Sequence, residues 1–376
     1  MASKARESIK SRRIIGKNPA PRFESYHAPF SICSEKVRCV LLLKNADFSA
    51  YDVDLRSQEN YKPEYVALRS LGREGRELVG GHSWTGSTSV ADMGFDPLVL
   101  PTLVDNFKKK VIVDSKNIME YIEQEIPTPP LYPETCREVV EKHVEIVDKT
   151  PHAGLLYGGD PDNDTRPGFV KAFANGLCQK QIKALEFWLN DENLPEDIHP
   201  LYEAKLKKCQ SVNKTLSHDP DMLRSSIKIT KELLAELNKD LVKSGGPWIC
   251  GNRFTMADIA WHVSLLRFLT FGCGYLWEDL PNVHTYISVV MNHPVLKKAT
   301  YTWPGYIPSP HLTSLLRREG GLMLSERNRL MVVMMSFLEG GVCLGSLEMV
   351  KYVSSGVTGI LVAAGLGMFL FSTDFV

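Results

Sequence analysis

Between residues 22 and 126 the chain switches hydrophobic period several times, and that order restricts the fold more than any other feature. Arg22-Phe23-Glu24-Ser25-Tyr26-His27 reads as a strand and leads into an apolar helical run, Val37, Val40, Leu41, Leu42 and Leu43. Ala50 to Leu55 alternates like a strand, and Tyr61 to Leu71 is helical. Pro97 to Asn106 and Val111 to Val113 read as a hairpin across Asn106 to Lys110. Asp114-Ser115 then caps a helix that carries Ile118, Met119, Tyr121 and Ile122 on one side. The order is β-α-β-α-β-β-α, an α/β unit over 22–126. Residues 72–94, rich in Gly, Ser and Thr, read as an irregular insertion in it.

A proline-rich linker follows, Pro127-Thr128-Pro129-Pro130-Leu131-Tyr132-Pro133, within residues 127–137. From 138 to 305 the chain reads as all-helical. Helices are expected over Glu138–Lys149, Phe169–Leu189, Leu201–Leu216 and Asp221–Lys243, with Pro151–Gly159 and Asp160–Asp164 as a loop. In the last helix Leu223, Ile227, Leu234, Leu237 and Leu241 fall at core-packing spacing. Thr255 and Asp258, in Trp248-Ile249-Cys250-Gly251-Asn252-Arg253-Phe254-Thr255-Met256-Ala257-Asp258-Ile259, stand at capping-box spacing, each satisfying a free N–H.

Chemistry points to Cys33, in Phe30-Ser31-Ile32-Cys33-Ser34-Glu35-Lys36-Val37-Arg38. It sits between a strand and a helix start. The first N–H groups of a helix have no partner within it, and the aligned peptide dipoles put positive charge there. A thiolate in that field is stabilised, and its pKa falls below the free value of about 8.5. Ser31 and Ser34 add hydroxyls, and Ser34 can serve as the N-cap. The alternative is a cysteine that packs as a small hydrophobe.

The 376 residues carry 44 Lys+Arg against 44 Asp+Glu, so no bulk field draws nucleic acid or acidic partners. No zinc-finger spacing, P-loop or Gly-rich dinucleotide fingerprint occurs. The cysteines at 33, 39, 136, 178, 209, 250, 273 and 343 are scattered and form no C-x-x-C, which argues for reduced thiols rather than a disulfide framework. Residues 1–21 have Lys4, Arg6, Lys10, Arg12, Arg13 and Lys17 against Glu7 alone and read as a basic disordered tail. At the other end, Ser354 to Thr373 contains no charged residue. A run of about 20 apolar residues matches the roughly 30 Å hydrocarbon core of a bilayer, so 354–373 is expected to be a transmembrane anchor behind a stalk at 306–353. Lys351 before it, with Arg327 and Arg329 upstream, places the body in the cytosol. Gly359, Ala363 and Gly367 form a small-residue stripe that either pairs helices, as in a homodimer, or is inert.

Three local motifs, in this order and spacing, resemble the glutathione transferase superfamily over roughly Phe23 to Thr302. Ser31-x-Cys33-Ser34-x-Lys36-Val37-Arg38 is similar to the active-site start of zeta-class transferases and of tetrachlorohydroquinone-type reductive dehalogenases. Leu100-Pro101-Thr102-Leu103 is similar to the family segment whose proline is cis, which turns the Leu100 N–H and C=O outward to pair with an extended peptide. Asp114-Ser115 is similar to the acid–serine pair that grips the γ-glutamyl group. The resemblance implies a thioredoxin-like N-terminal domain, an all-α C-terminal domain and glutathione as co-substrate. It implies catalytic roles for Cys33 and Ser31, and glutathione contacts from Leu100, Pro101, Asp114 and Ser115. A small electrophile would sit between the halves, near His152, Tyr157 and Arg166. Ile32, where zeta enzymes have a second serine, sets the chain apart from the isomerases and leaves thiol transfer or reductive dehalogenation.

The long helical insertion before Trp248 and the apolar C-terminus also resemble the ganglioside-induced differentiation-associated proteins, which are anchored in the mitochondrial outer membrane. That resemblance implies the same location, and an alternative function as a weakly catalytic adaptor in membrane dynamics. In those relatives serine typically stands where this chain has Cys33. The 72–94 insertion, just before Leu100, either covers the site as a lid or blocks it.

Overall fold

The computed structural model describes residues 2–79, 94–160, 164, 166, 168–215 and 219–306. The body of the insertion, the expected stalk beyond Tyr306 and the expected anchor at 354–373 lie outside the described residues. Among the described residues no helix is long and apolar enough to cross a membrane.

The N-terminal half is built on one mixed sheet. Its strands are β1 (Ser11–Ile15), β2 (Phe23–His27), β3 (Phe48–Asp52), β4 (Thr102–Asp105) and β5 (Lys110–Val113), in spatial order β1-β3-β2-β4-β5. β2 and β3 run parallel, with Phe23 opposite Phe48 and His27 opposite Asp52. A parallel pair needs a crossover, and the helix between Ile32 and Leu43 supplies it. The remaining neighbours are antiparallel, including the predicted hairpin, where Thr102 faces Val113 and Asp105 faces Lys110. Every residue of β2, β3 and β4 is buried, as expected of strands covered on both faces.

Residues 1–21 depart from the expected disordered tail. Helix α1 (Ser3–Ser8) buries Ala5 against the sheet, and β1 pairs antiparallel with β3 from Ser11–Asp52 to Ile15–Phe48. Three of the basic residues that suggested a solvated tail have partners on that sheet: Arg6 pairs with Glu24 at 2.7 Å, Arg13 pairs with Asp52, and Arg12 donates to Ser49 Oγ at 3.1 Å. Gly16, at φ 104°, closes the strand onto Asp47, whose carboxylate accepts the Lys17 and Asn18 N–H groups. A Cβ at that position would lie 1.7 Å from Asp47 Oδ1.

Helix α2 (Ile32–Leu43) lies between the sheet and the helical half, with α3 (Pro63–Ser70) and α4 (Ser115–Glu125) completing the α/β unit. The C-terminal half comprises α5 (Arg137–Lys149), α6 (His152–Tyr157), α7 (Gly168–Leu189), α8 (His199–Thr215), α9 (Pro220–Ser244), α10 (Met256–Thr270), α11 (Pro281–Asn292) and α12 (Pro294–Ala299). The stretch expected to be a loop after Pro151 contains the short α6. α10 is buried along its whole length, as a helix at the centre of a bundle must be. Its capping box forms as expected, and Asp258 does more than cap. Its carboxylate accepts the Thr255 N–H (2.8 Å), the Ile249 N–H (3.1 Å) and the Tyr286 hydroxyl (2.8 Å). Just past the insertion, buried Asp96 accepts Lys205 at 2.8 Å and Lys208 at 2.7 Å, which ties the end of the insertion to α8. Burial works against that carboxylate, but the two ammonium groups win and hold it below the usual range.

Three histidines in this core are fully buried: His27, His143 and His262. Burial holds each one neutral, lowering His27 well below its ordinary value, His143 to about 4 and His262 to about 3. In the unfolded chain each takes up a proton near pH 6.5. Below that pH the unfolded state binds more protons than the folded one, so stability falls as pH drops from 6.5 toward the folded values, by up to about 1.4 kcal/mol per pH unit for each histidine. Thermal melts are therefore expected to be nearly flat between pH 8 and 7 and to decline steadily below about 6.5. A constant midpoint down to pH 5 would contradict this account.

Candidate active site

The site begins where β2 hands over to α2. Residues 28–31 form a short loop whose backbone is held from inside. The guanidinium of Arg38, fully buried on α2, donates to the carbonyls of Ala28 (2.9 Å) and Pro29 (2.8 Å) and reaches across to Ala299 of α12 (2.7 Å). Ser34 Oγ accepts the Ala28 N–H at 3.2 Å. Ser31, not Ser34, is the N-cap, and its Oγ accepts the Ser34 N–H at 3.4 Å. The helix starts earlier than its apolar run suggested, so Ser34 is turned inward to brace the loop. Ser31 Oγ serves as acceptor there, and its hydroxyl proton remains available to a ligand.

Cys33 is the second residue of α2 and is half-exposed. Its thiol is hydrogen-bonded to Ser115, the first residue of α4. Two positions predicted separately, the nucleophile and the anion-binding serine, thus meet side chain to side chain. The electrostatics differ from the expected low-pKa thiolate. Burial pushes the Cys33 thiol up; the Lys36 ammonium and the Ser115 hydroxyl pull it down, and the carboxylates of Asp148 and Asp114 push it up again. The net direction is upward. Lys36 lies one helical turn on, but its charge is shared with Asp148 of α5, at 2.6 Å in a buried pair. Sulfur at a helix start is not enough when the surrounding protein removes water from it. On the same turn, the Glu35 carboxylate is buried without a hydrogen-bond partner among the described residues, and Arg267 of α10 approaches it at 3.8 Å.

The second predicted element is organised by a residue the sequence reading missed. Leu100–Pro101 is cis, as the resemblance implies. Arg69 of α3 is fully buried and donates to the Pro101 carbonyl (2.7 Å), the Asp96 carbonyl (2.8 Å) and Asp114 Oδ1 (2.6 Å). Arg76 takes Asp114 Oδ2 at 2.6 Å. Asp114 therefore does not cap α4 with its side chain; at φ 69° it turns its carboxylate to the two arginines. Among the described residues no hydrogen bond occupies the Leu100 N–H or C=O, whereas Val99 and Pro101 on either side accept from Tyr65 and Arg69. The clue to Arg69 was an arginine inside an apolar helical stretch, which needs buried acceptors to be tolerated.

Of the three residues placed at the domain junction by position, one belongs there. His152 Nε2 pairs with Ser264 Oγ at 2.8 Å, and its ring stacks on Phe268. Burial, with the positive charges of Lys36 and Arg267, lowers its pKa to about 3, so it is a neutral hydrogen-bonding group beside the Cys33 helix. Tyr157 instead packs against Cys178, Val212 and Met222. Arg166 is a structural clamp, with its guanidinium given to the Leu155, Leu156 and Gly158 carbonyls and to Asp164. Two surface hollows, one between α4 and β5 and one beside Arg12 and Tyr51, include none of the predicted site residues.

The chain is similar to known proteins. The family model described as "Glutathione S-transferase, N-terminal domain" matches residues 30–125, and "Glutathione S-transferase, C-terminal domain" matches residues 220–300. The chain is similar to the 2,5-dichlorohydroquinone reductive dechlorinase of Sphingobium indicum, 38% identical over 307 residues that span 79% of this chain and 87% of that protein. Similarity to ganglioside-induced differentiation-associated protein 1-like 1 of Homo sapiens is lower, 24% over 296 residues, 73% of this chain and 72% of that one. A beta-etherase from Sphingobium sp. strain SYK-6 shares the fold, with a TM-score of 0.51 and 17% identity over 74% of this chain and 98% of that chain.

If Lys36 and Ser115 are what counter the burial of the thiol, removing either makes it harder to ionise. Lys36→Met and Ser115→Ala are each expected to move the midpoint of Cys33 alkylation to higher pH, with Lys36→Arg restoring the wild-type profile. The measurement is alkylation of the Cys33 peptide against pH, followed by mass spectrometry. Unchanged midpoints in both variants would show that neither group sets the thiol.

Proposed function

Given that the chain belongs to the glutathione transferase superfamily, with glutathione as its co-substrate, we propose that it reductively removes a leaving group from a small aromatic electrophile through thiol exchange at Cys33. The observation that carries this reading is the hydrogen bond between Cys33 and Ser115, which joins a sulfur nucleophile to a hydroxyl at a helix N-terminus suited to a carboxylate. The residues fit glutathione. Among the described residues no hydrogen bond occupies the Leu100 N–H or C=O beside the cis proline, and the N-terminus of α4 suits the γ-glutamyl carboxylate. Asp114 supplies a carboxylate for the γ-glutamyl ammonium, and Arg69 fixes its orientation. Ser31 retains a hydroxyl proton to donate to a thiolate.

In this mechanism Cys33, as thiolate, attacks the sulfur of an aryl–glutathione adduct. The new bond is Cys33 S–S; the bond broken is aryl C–S, whose electron pair stays on carbon and takes a proton from water. A second glutathione thiolate then attacks the mixed disulfide, releasing glutathione disulfide and returning Cys33. The aromatic is reduced and two glutathione sulfurs are oxidised. His152 and Ser264 are placed to line the electrophile's side of the junction. The adaptor reading is not favoured: the chain resembles the dechlorinase more than it resembles the differentiation-associated protein.

The test uses the full-length chain with glutathione and 2,5-dichlorohydroquinone, the compound in the relative's name. Cys33→Ala is expected to lower formation of the dehalogenated hydroquinone by about 10²-fold or more, in the range seen when a nucleophile is removed, and to accumulate the aryl–glutathione adduct. Equal rates of formation of the dehalogenated hydroquinone and of glutathione disulfide in wild type and Cys33→Ala would end the proposal.

The reading extends to residues 354–373 as a membrane anchor that keeps the body in the cytosol, with the mitochondrial outer membrane as the location. Its support is the uncharged run itself. A reporter fused to residues 320–376 is expected to sediment with mitochondrial membranes and to resist alkaline extraction. A soluble reporter would remove the anchor, and a reporter on another membrane would remove the location.

A further inference from the structure

Away from the candidate site, the fold brings together two thiols that the sequence keeps far apart. Cys136 ends a 3-10 turn, Glu134–Cys136, just before α5. Cys250 lies in the tight turn before α10, where the Trp248 N–H donates to the Gly251 carbonyl at 3.0 Å and the Gly251 N–H to the Trp248 carbonyl at 3.1 Å. The Cys136 sulfur is close enough to push up the Cys250 thiol's pKa. Two hydrogen bonds, both from residues after Cys250 to residues before Cys136, hold the two segments together. Arg253 Nη1 donates to Thr135 Oγ1 at 2.6 Å, and the Met256 N–H donates to the Leu131 carbonyl at 2.9 Å. Both thiols are half-exposed, whereas Cys39, Cys178, Cys209 and Cys273 are buried.

We propose that Cys136 and Cys250 are a redox pair, converted by glutathione disulfide into an intramolecular disulfide that ties the end of the interdomain linker to the turn opening α10. Cys250 is held protonated, its pKa pushed up to about 12 by burial and then by the adjacent Cys136 sulfur. Cys136 is thus the attacking sulfur. Its thiolate displaces one glutathione thiolate from the disulfide and forms a Cys136–glutathione bond. Cys250 then gives up its proton and attacks Cys136 Sγ, expelling the second glutathione. The two thiols are oxidised, glutathione disulfide is reduced to two glutathione thiols, and those carry away both protons.

A bond here joins the start of α5 to the entrance of α10. In its last turn α5 carries the Asp148 that pairs with Lys36 beside Cys33, and α10 carries Ser264 and Arg267. The oxidant is the product released in the proposed reaction, so the oxidised pair would record turnover at Cys33. The exchange itself needs only glutathione disulfide, so it stands or falls independently of that reading.

The test uses the full-length chain carrying Cys33→Ser, so that the candidate nucleophile does not react. The reduced protein is equilibrated with glutathione disulfide, quenched by alkylation and mapped by mass spectrometry. A linked Cys136–Cys250 peptide is expected, with loss of alkylation at both positions and a higher melting temperature, because the bond closes a long loop. In Cys250→Ser the intermediate is trapped, and a stable glutathione adduct appears on Cys136. Cys136→Ser is expected to leave Cys250 unmodified, and a circular dichroism melt establishes that each variant is folded. Stable adducts on the separate thiols of the parent protein, both thiols remaining freely alkylated, or a link that forms only in urea would each overturn the proposal.

Discussion

A guanidinium with no access to water holds the site together. Arg38 lies on α2, two residues past Lys36, and satisfies three backbone carbonyls: Ala28 and Pro29, in the loop before Cys33, and Ala299, at the far end of the helical half. His27 Nδ1 lies 3.1 Å away, and the Trp303 ring covers the guanidinium at 5.0 Å. Burial, against the opposing pull of Glu35, lowers the Arg38 pKa to about 10, which still leaves it charged at neutral pH. Each carbonyl left without this donor would cost about 1–3 kcal/mol. The strand-to-helix loop, the direction of Cys33 and the docking of α12 are therefore fixed by one side chain.

The same economy appears on the glutathione side. Arg69 links the carbonyl beside the cis proline to the carboxylate before Ser115, so two segments distant in sequence move as one. Such buried charges are tolerated because every donor has an acceptor; a partial set would be worse than an apolar core. The arrangement trades thiol acidity for precision. Cys33 gains a hydroxyl partner and a nearby ammonium, but it also loses water, and Asp148 takes part of the Lys36 field. Reactivity at such a sulfur depends on bound partners that supply charge and position, more than on a preformed thiolate.

Local signals made much of the frame legible. Alternation at β2 and β3, the 102–113 hairpin, the helix after Asp114 and the Thr255–Asp258 box all follow from short-range chemistry, and the structure has each of them. The departures share a cause. A basic N-terminus looked solvated because the Glu24 and Asp52 that pair with it lie elsewhere in the chain. Ser34 looked like a cap because the loop carbonyls and the Ala28 N–H that turn it inward were invisible locally. Tyr157 and Arg166 were assigned by position, and their neighbours claimed them for packing and for a backbone clamp.

Sequence by itself determined the order of elements, the reactive residue types and the family motifs, because helix caps, strand periods and turn residues act over a few positions. Tertiary structure alone decided what those residues feel. It set the direction of the Cys33 ionisation, the meeting of Cys33 with Ser115, the turning of Asp114 toward Arg69, and the approach of Cys136 to Cys250. Desolvation and Coulomb forces depend on which distant segments pack around a group, and local sequence carries no record of that packing.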